Sequence, residues 1–490
     1  MSESNLISPS ESPLKVEIAV IGSGPGGAIT ACLLAEAGRD VLLIEEGAYL
    51  SLESCQPFSV EEMIQKYRNG GLTAAFGQPK IQYVEGRCVG GGSEINSGLY
   101  HRTPSDILAQ WSKEFEVKSL TEADLIPHFE ACEQAVNVCY LPGKAPTASL
   151  KLHEGATRLN WQSLEVPRWF RYQESSDQNQ VPKGTRQSMT ETFIPRALKA
   201  GCKLLANTWI KKIHQSDKNW VLSGYSQVNN SPQQLIEIQA ETLFVCCGAI
   251  QTPALLRRSG IKNNIGNALR MHPTVKIIAQ FDQDINTLDM GVPVHQVKEF
   301  SPKFSFGCSI SSPPYLSVGM TDHPKYTEEV QKNWHKMAIY YAMITGEGYG
   351  TVRNIPFFRD PLVRYKLTSQ DLKDLSEALQ KLALLLFEAD AKILYPSISN
   401  SFPLTDAKDL DKIPEQLPIK QTNLMTVHIF SSCPMGENLQ KCAVNSFGKV
   451  HGFNNLYIAD ASLLCTAPGV NPQGTIMAIA RRNTLKFLNP

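Results

Sequence analysis

The feature that most constrains this chain is a glycine-rich turn, GSGPGG at 22–27, between a predicted strand and a predicted helix. The strand is the β-branched apolar run at 16–21, and residues 28–38 have helical spacing. Such a turn lets the backbone approach a pyrophosphate, and the helix N-terminus offers free N–H groups to the phosphates. The pattern predicts a Rossmann-type dinucleotide site, with the GxGxxG glycines at Gly22, Gly24 and Gly27.

An acidic residue follows the second predicted strand, VLLI at 41–44. Glu45 comes 23 positions after Gly22, a spacing at which a carboxylate can accept the ribose hydroxyls of a dinucleotide. Glu46 is the competing candidate, and Glu45 is preferred because it directly ends the apolar run. The turn and the acid alone do not distinguish FAD from NAD.

A second glycine cluster, GRCVGGGSEINSG, occupies residues 86–98. Three consecutive glycines allow a backbone to lie flat against a ligand ring or a phosphate. Together with the first turn, this segment resembles the first signature of the glucose–methanol–choline (GMC) oxidoreductase family of FAD enzymes. The match runs from Gly86 to Tyr100 and departs from the family pattern at Thr103.

Two further segments carry the same resemblance. Residues 248–261, GAIQTPALLRRSGI, are similar to the second family signature and depart from it only at Lys262. Near the C-terminus, His428 precedes SSCPMG, and Asn471-Pro472 precedes the last predicted helix. The resemblance covers nearly the whole chain and is weakest at 105–190 and 276–420.

The resemblance implies oxidation of an alcohol CH–OH group to a carbonyl, with hydride transfer to flavin N5. His428 matches the family's base, a role that suits a side chain titrating near neutral pH. Asn471 would contact the substrate oxygen, although Asn followed by Pro is also a favourable start for a helix. The alternative is a member of the same family with non-oxidising chemistry, such as a lyase or a photodecarboxylase.

The resemblance also implies the residues that would contact FAD. Ile210 would meet the adenine through its backbone, and Asp460 would lie near the ribityl–pyrophosphate region unless it serves as a turn residue or helix cap. Ile95 stands where some members carry a histidine bonded to the flavin, which predicts non-covalent FAD. His272, followed by Pro273, is interpreted as structural. The implied set, beyond Gly22, Gly24, Gly27 and Glu45, is Gly86, Gly90, Gly91, Gly92, Ser93, Asn96, Ile210, Asp460, Ala461, Asn471, Pro472 and Thr475.

The predicted fold class is α/β (α+β overall), with a Rossmann-type FAD-binding domain and a substrate domain built on an antiparallel sheet. Periodicity predicts one long amphipathic helix at 369–394 and a strand within 334–344. The predicted boundaries are a disordered N-terminus at 1–14, an FAD-binding domain at 15–104, 190–275 and 425–490, and a substrate domain at 105–189 and 276–424.

Composition excludes some partners. The 47 basic and 47 acidic residues give zero net charge, which argues against a broad electrostatic surface for nucleic acid. No apolar run reaches the roughly 20 residues of a membrane helix, and the polar N-terminus predicts no secretory signal. Twelve cysteines without a CxxC pair predict no metal site and a cytoplasmic protein.

The expected substrate is a small-molecule alcohol. Residues 334–394 resemble the long-chain alcohol oxidases, and this resemblance suggests that the alcohol is apolar. The expected electron acceptor is O2 or a quinone-type compound.

Overall fold

The computed structural model describes residues 6–7, 13–173, 181–227, 232–288 and 290–489. Most of the segment predicted to be disordered, 1–14, lies outside the described residues; Leu6 forms a bridge with Leu204, and Leu14 begins the first strand. In the described part of the chain, no helix is both long enough and apolar enough to cross a membrane.

The helices and strands alternate along the chain, with short 3-10 helices between them. The helices are α1 (Pro25–Glu36), α2 (Val60–Lys66), α3 (Ser105–Glu114), α4 (Glu122–Ala135), α5 (Thr147–Arg158), α6 (Phe193–Lys199), α7 (Gly248–Arg258), α8 (Pro313–Gly319), α9 (Glu328–Asn333), α10 (Ser369–Glu388) and α11 (Gln473–Leu488). The strands are β1 (Leu14–Ile21), β2 (Val41–Ile44), β3 (Thr73–Ala75), β4 (Ile81–Tyr83), β5 (Val138–Cys139), β6 (Ser163–Glu165), β7 (Arg168–Tyr172), β8 (Gly184–Arg186), β9 (Lys203–Leu205), β10 (Thr208–Ser216), β11 (Asn219–Ser226), β12 (Gln234–Val245), β13 (Arg270–Met271), β14 (Thr274–Gln280), β15 (His295–Val297), β16 (Phe304–Cys308), β17 (Met337–Ile344), β18 (Tyr349–Arg353), β19 (Leu362–Lys366), β20 (Ile393–Pro396), β21 (Leu424–Thr426), β22 (Ile429–Phe430) and β23 (Leu456–Ile458).

The first sheet is a parallel core with an antiparallel extension. Strands β9, β2, β1, β12 and β23 run parallel in that order, and β10 and β11 continue from β12 as antiparallel neighbours. Residues Ile18, Ala19 and Val20 of β1 have no exposed surface, as expected for a parallel strand covered on both faces. Strand β1 starts two residues before the predicted run because Leu14 and Lys15 already pair with β12.

The second sheet has the order β3-β4-β21-β14-β17-β16-β15-β6, with β20 also paired to β14. Its pairs are antiparallel except for β4 with β21. Helices α5 and α10 cover one face, where the Tyr340 hydroxyl donates to the Ala148 carbonyl at 2.9 Å. Together the two sheets confirm the predicted α/β fold class, a Rossmann-type unit joined to a second sheet.

The predicted helix at 369–394 is shorter in the structure. Helix α10 begins after Thr368, whose side chain forms a capping box with Asp371, and ends at Glu388. The chain then turns at Asp390, where φ is 69°, and residues from Ile393 pair with β14 instead. The apolar pattern continued past the helix because β20 is also buried. In the same way, β17 begins at Met337 rather than at 334 because residues 334–336 form a 3-10 turn.

Some helices and strands pack with the other of the two predicted domains rather than with the one that the predicted boundaries assign them to. Helix α4, within the predicted substrate domain, packs with α11, and α3 of the same predicted domain contributes Trp111 to the core of the first sheet. Strands β3 and β4, within the predicted FAD-binding domain, and β21, which spans the predicted boundary at 424–425, extend the second sheet. The domain division stays a prediction, and these contacts associate α3 and α4 with the Rossmann-type unit.

Candidate active site

The first glycine loop joins the carboxyl end of β1 to the N-terminus of α1. An added Cβ atom would overlap the Cys246 carbonyl at Gly22 and the Gly22 carbonyl at Gly27. At Gly24, by contrast, an added Cβ meets nothing within 4 Å. The loop is therefore packed against backbone atoms on one side, its own and those of Cys246, and open on the other, as a cradle for a pyrophosphate requires.

Glu45 is buried at the end of β2 and faces this loop. Its carboxylate accepts hydrogen bonds from the Ser23 amide at 3.0 Å, the Ser23 hydroxyl at 2.6 Å and the Gly47 amide at 2.9 Å. Burial raises the pKa of Glu45, and these hydrogen bonds oppose that shift. Glu46 lies instead among Arg68, Arg87 and Arg359. The contacts therefore favour Glu45 over Glu46 as the acid near the dinucleotide.

The second glycine cluster touches the first. The Gly90 amide donates to the Ser23 hydroxyl at 3.0 Å, and an added Cβ at Gly91 would lie 2.9 Å from the Gly24 Cα. An added Cβ at Gly86 would overlap the Gly91 carbonyl, whereas Gly92 faces open space. The Ser93 hydroxyl donates to the Gly90 carbonyl at 2.8 Å and fixes the turn. The two clusters thus form one cradle with an open side at Gly24 and Gly92.

Ile210 lies at the far end of this cradle. The Thr208 amide, two residues before it, donates to the Glu45 carbonyl at 2.8 Å. Ile210 is buried in β10 beside a bulge between Ile210 and Lys212. The predicted adenine contact is therefore adjacent in the fold to the predicted ribose contact.

Asp460 is buried, and its carboxylate is used within the chain. It accepts from the Gly248 amide at 2.9 Å and the Thr252 hydroxyl at 2.5 Å, and from the amide and the hydroxyl of Ser462 at 2.8 and 2.5 Å. Burial raises its pKa, and the four hydrogen bonds oppose that shift. The Ala461 carbonyl accepts the Ser431 amide at 3.2 Å. These contacts match the alternative in which the Asp460 side chain serves as a turn residue or helix cap. The backbone of Asp460 is then the part that could contact a cofactor.

Asn471 does not take the helix-capping role that the sequence suggested for it at the start of α11. Pro472 occupies the cap position, and the Asn471 side chain does not cap the helix. The Thr475 and Thr103 hydroxyls are 2.7 Å apart, so the residue at which the sequence departs from the family pattern contacts a predicted site residue. The Asn96 amide donates to the Gln473 side chain at 2.6 Å, which links the second glycine cluster to this helix.

The Asn471 side chain contacts His428 instead of capping the helix. The Asn471 Nδ2 atom lies 3.2 Å from His428 Nε2. On the other side of the ring, His428 Nδ1 lies 3.1 Å from Nδ1 of His272, and His272 Nε2 accepts the Gly469 amide at 3.2 Å. Both imidazoles are buried. The histidine interpreted as structural therefore contacts the predicted base directly.

The backbone amide of Gly469 favours one proton arrangement in this pair, and the Asn471 amide favours the other. A neutral His272 that accepts at Nε2 carries its proton on Nδ1 and donates it to His428 Nδ1. Neutral His428 then carries its proton on Nε2, where it faces the Asn471 Nδ2 donor, because the Asn471 oxygen accepts from Gln296. For His428 Nε2 to accept a proton, the pair must adopt its second tautomer, in which His428 carries its proton on Nδ1 and His272 carries its proton on Nε2. This second tautomer loses the hydrogen bond from the Gly469 amide.

The polar chain continues onto the second sheet. Gln296 of β15 donates to the Asn471 oxygen at 3.2 Å and to the Tyr341 hydroxyl at 3.2 Å. Its oxygen lies 3.0 Å from His101 Nε2. A single network therefore connects His272, His428 and Asn471 to side chains of the second sheet and of the segment after the second glycine cluster.

Burial keeps these imidazoles neutral. It lowers the pKa of His428 to about 3 and that of His101 to about 3, with the positive charge of Lys298 acting in the same direction on both. Burial also lowers the pKa of His272, with His428 and Lys298 as further causes. In the described residues, no group of three or more His, Cys, Asp and Glu side chains could hold a metal ion.

Sequence reasoning missed His101, Gln296, Lys298 and Tyr341. His101 directly follows the first signature. Gln296 and Lys298 stand two positions apart in and just after β15, so the one local signal was a pair of polar residues at the spacing of one strand face. Nothing local indicated that sheet pairing would bring Gln296 beside Asn471, 175 residues away.

Comparisons with known proteins cover most of the chain. The GMC oxidoreductase family matches residues 63–274 and 358–480, and an NAD(P)-binding Rossmann-like domain matches 20–56. An uncharacterized GMC-type oxidoreductase of Sinorhizobium fredii, y4nJ, is 39% identical over 96% of this chain and 94% of its own. The long-chain-alcohol oxidase FAO4A of Arabidopsis thaliana is 25% identical over 95% of this chain and 68% of its own. The solved structure of pyridoxine 4-oxidase from Mesorbium loti has a TM-score of 0.71 at 17% identity, over 97% of this chain and 99% of that one.

The open side of the glycine cradle gives a direct test of cofactor binding. We expect Gly24→Ala to fold normally, because the added methyl meets no protein atom, but to lose bound flavin, because the methyl fills the space of the pyrophosphate. Flavin absorbance per protein and far-UV circular dichroism measure the two effects. Gly26→Ala is the control that should lose both, since its Cβ overlaps the Ala459 carbonyl. A Gly24→Ala protein that retains stoichiometric flavin would contradict this assignment of the cradle.

Proposed function

Because the chain belongs to the GMC oxidoreductase family, we propose that it uses FAD to oxidise an alcohol CH–OH group to a carbonyl. Membership confirms the family predicted from the motifs and makes the chain an oxidoreductase. The observation that carries the proposal is the contact of His428 Nε2 with the Asn471 amide at 3.2 Å, beside the start of α11. The similarity to long-chain-alcohol oxidases favours oxidation over the non-oxidising alternative.

The open cradle fits FAD. Gly24 and Gly92 face its empty side, Glu45 would receive the ribose hydroxyls, and the free N–H groups at the start of α1 would receive the phosphates. When bound, FAD supplies a two-electron acceptor whose N5 takes the hydride from the alcohol carbon. The N-terminus of α11, a helix of 16 residues, offers N–H groups and a positive dipole end to negative charge on the cofactor.

His428 is the proposed proton acceptor. Oxidation of an alcohol releases the hydroxyl proton as the hydride leaves, so a neutral nitrogen must lie within hydrogen-bond reach of the oxygen. The low pKa of His428 keeps it neutral at physiological pH. An alcohol that donates to Nε2 favours the second tautomer of the His272–His428 pair, in which His428 carries its own proton on Nδ1.

Asn471 is the proposed partner for the substrate oxygen. Its side-chain amide can donate a hydrogen bond to negative charge that develops on that oxygen, and it cannot titrate. Gln296 contacts the other end of the same amide at 3.2 Å and so restricts its rotation. His428 therefore handles the proton while Asn471 orients the oxygen. O2 or a quinone-type compound is the proposed electron acceptor, and a cytoplasmic location stays a prediction.

Replacement of the base tests the chemistry. We expect His428→Ala to slow anaerobic flavin reduction by an alcohol roughly 10²–10⁴-fold, the usual contribution of a general base. Stopped-flow absorbance of the flavin measures the rate, and flavin content checks that the variant retains its cofactor. His153→Gln is a matched control, because this histidine stacks on His295 outside the network. A His428→Ala rate within about tenfold of wild type would contradict the role of His428 as base.

The pH dependence follows from the sign of the His428 shift. Burial and the charge of Lys298 disfavour the protonated ring and lower its pKa, while His101 and His272 are also neutral. The base therefore stays competent well below 6.5, the ordinary pKa of an imidazole side chain. We expect kcat/KM for an uncharged alcohol to show no fall as pH drops through about 6.5, and initial rates over a pH series measure this. The expectation is wrong if kcat/KM of the wild type falls toward acid pH with a midpoint at about 6.5 or above and if this fall is absent in His428→Ala.

Non-covalent attachment has its own test. Ile95 is buried where some family members carry the histidine that bonds the flavin, and its side chain has no nucleophilic atom. We propose that FAD is bound without a covalent link, so acid precipitation should leave the yellow flavin in the supernatant. Absorbance of supernatant and pellet measures the partition. Flavin that stays with the washed pellet would show a covalent bond.

A further inference from the structure

Lys298 is a buried amine that none of the contacts above explains. Its Nζ atom is enclosed by the protein and has no hydrogen-bond partner among the described residues. Burying a cation without a partner opposes folding, since the charge loses its hydration and gains no acceptor. A lysine in this state is poised to bind an acceptor that the chain itself does not provide.

The position of Lys298 connects it to the candidate active site. It directly follows β15, and side chains two residues apart along a strand leave the same face of the sheet. Gln296 is therefore on the same face, and Gln296 contacts both Asn471 and His101. The positive charge of Lys298 is also among the causes that lower the pKa of His428, His101 and His272, in agreement with a place on this face of the sheet.

No described carboxylate compensates this charge. Burial is the one cause that lowers the pKa of Lys298, to about 8, and an adjacent acid would have opposed the shift. The amine is therefore still mostly protonated at neutral pH. Lys303, five residues later, shows the contrast, because it is more exposed and pairs with Asp374 and Glu377.

We propose that Lys298 binds a carboxylate group of the substrate, so that the alcohol oxidised at His428 and Asn471 is a hydroxy acid. This inference rests on the proposed function and narrows its substrate class. It differs from the apolar alcohol that the sequence resemblance suggested. The carboxylate would replace the missing acceptor of the ammonium and would anchor the molecule on the second sheet, with its hydroxyl directed at the histidine.

The charge of the site favours a carboxylate over a phosphate. Lys298 supplies one positive charge, and the polar groups on its side of the sheet, Gln296 and Tyr341, are uncharged. Burial raises the pKa of Tyr341 to about 12, so its hydroxyl stays neutral. Phosphate sites in proteins commonly use arginine forks or several backbone N–H groups at a helix start, and a single ammonium with neutral donors suits a monoanion.

The first test measures binding without turnover. Oxidised holoenzyme is titrated with acetate, butanoate and hexanoate and with the matching amides, and flavin absorbance reports occupancy of the site. We expect at least one acid to bind more tightly than its amide, and Lys298→Met to weaken that acid about 30-fold or more without affecting the amide. Lys303→Met is the control and should leave both unchanged. If no acid perturbs the flavin, or if the amides bind as well as the acids, the proposal is wrong.

The second test separates this inference from the proposed function. Anaerobic flavin reduction is compared between ω-hydroxy acids and primary alcohols of the same chain lengths. We expect wild type to prefer the acids and Lys298→Met to lose that preference through KM rather than kcat. If Lys298→Met slows both series equally or shifts the flavin reduction potential, Lys298 acts on the flavin and the proposal fails. If neither series reduces the flavin, alcohol oxidation fails, and the binding titration still decides the role of Lys298.

Discussion

The buried carboxylate of Asp460 is the interaction on which the rest of the site depends. Its four hydrogen bonds join the start of α7, through Gly248 and Thr252, to the turn at Ser462. The first turn of α1 packs directly on the same segment, where Gly26 leaves no room for a side chain beside the Ala459 carbonyl. A buried carboxylate is favourable only when such donors surround it. Three distant parts of the chain are therefore fixed around one charge, and the cofactor cradle forms between them.

The same turn positions the catalytic candidates. The Ser431 and Cys433 amides donate to the Ala461 and Ser462 carbonyls, so the strand that follows His428 is attached to the Asp460 turn. A few residues later, Gly469 fixes His272 and Asn471 reaches His428. The glycine cradle and the proton-accepting nitrogen thus share one support. The second sheet then contributes Gln296 from the opposite side, and Lys298 directly follows the same strand.

Sequence reasoning succeeded where function and backbone geometry concentrate in a short segment. The glycine turn, its flanking strand and helix and the acid after β2 were predicted to within about three residues, because each element is defined by local pattern and short spacing. It failed where tertiary pairing decides. The end of α10 was missed because a buried strand follows it, and Gln296 and Lys298 were missed because only strand pairing brings β15 to Asn471. His272 was interpreted as structural, and its contact with His428 was not predicted for the same reason, since the two residues lie 156 positions apart.

The most direct test of alcohol oxidation at His428 and Asn471 is anaerobic flavin bleaching with alcohols deuterated at the carbinol carbon. Holoenzyme is mixed in the absence of oxygen with a panel of hydroxy acids and neutral alcohols, each in protiated and deuterated form, and flavin absorbance is followed. We expect bleaching by at least one alcohol and slower bleaching by its deuterated form, because the C–H bond is broken in the step that reduces the flavin. A flavin-loaded enzyme that no alcohol bleaches would contradict the proposed chemistry.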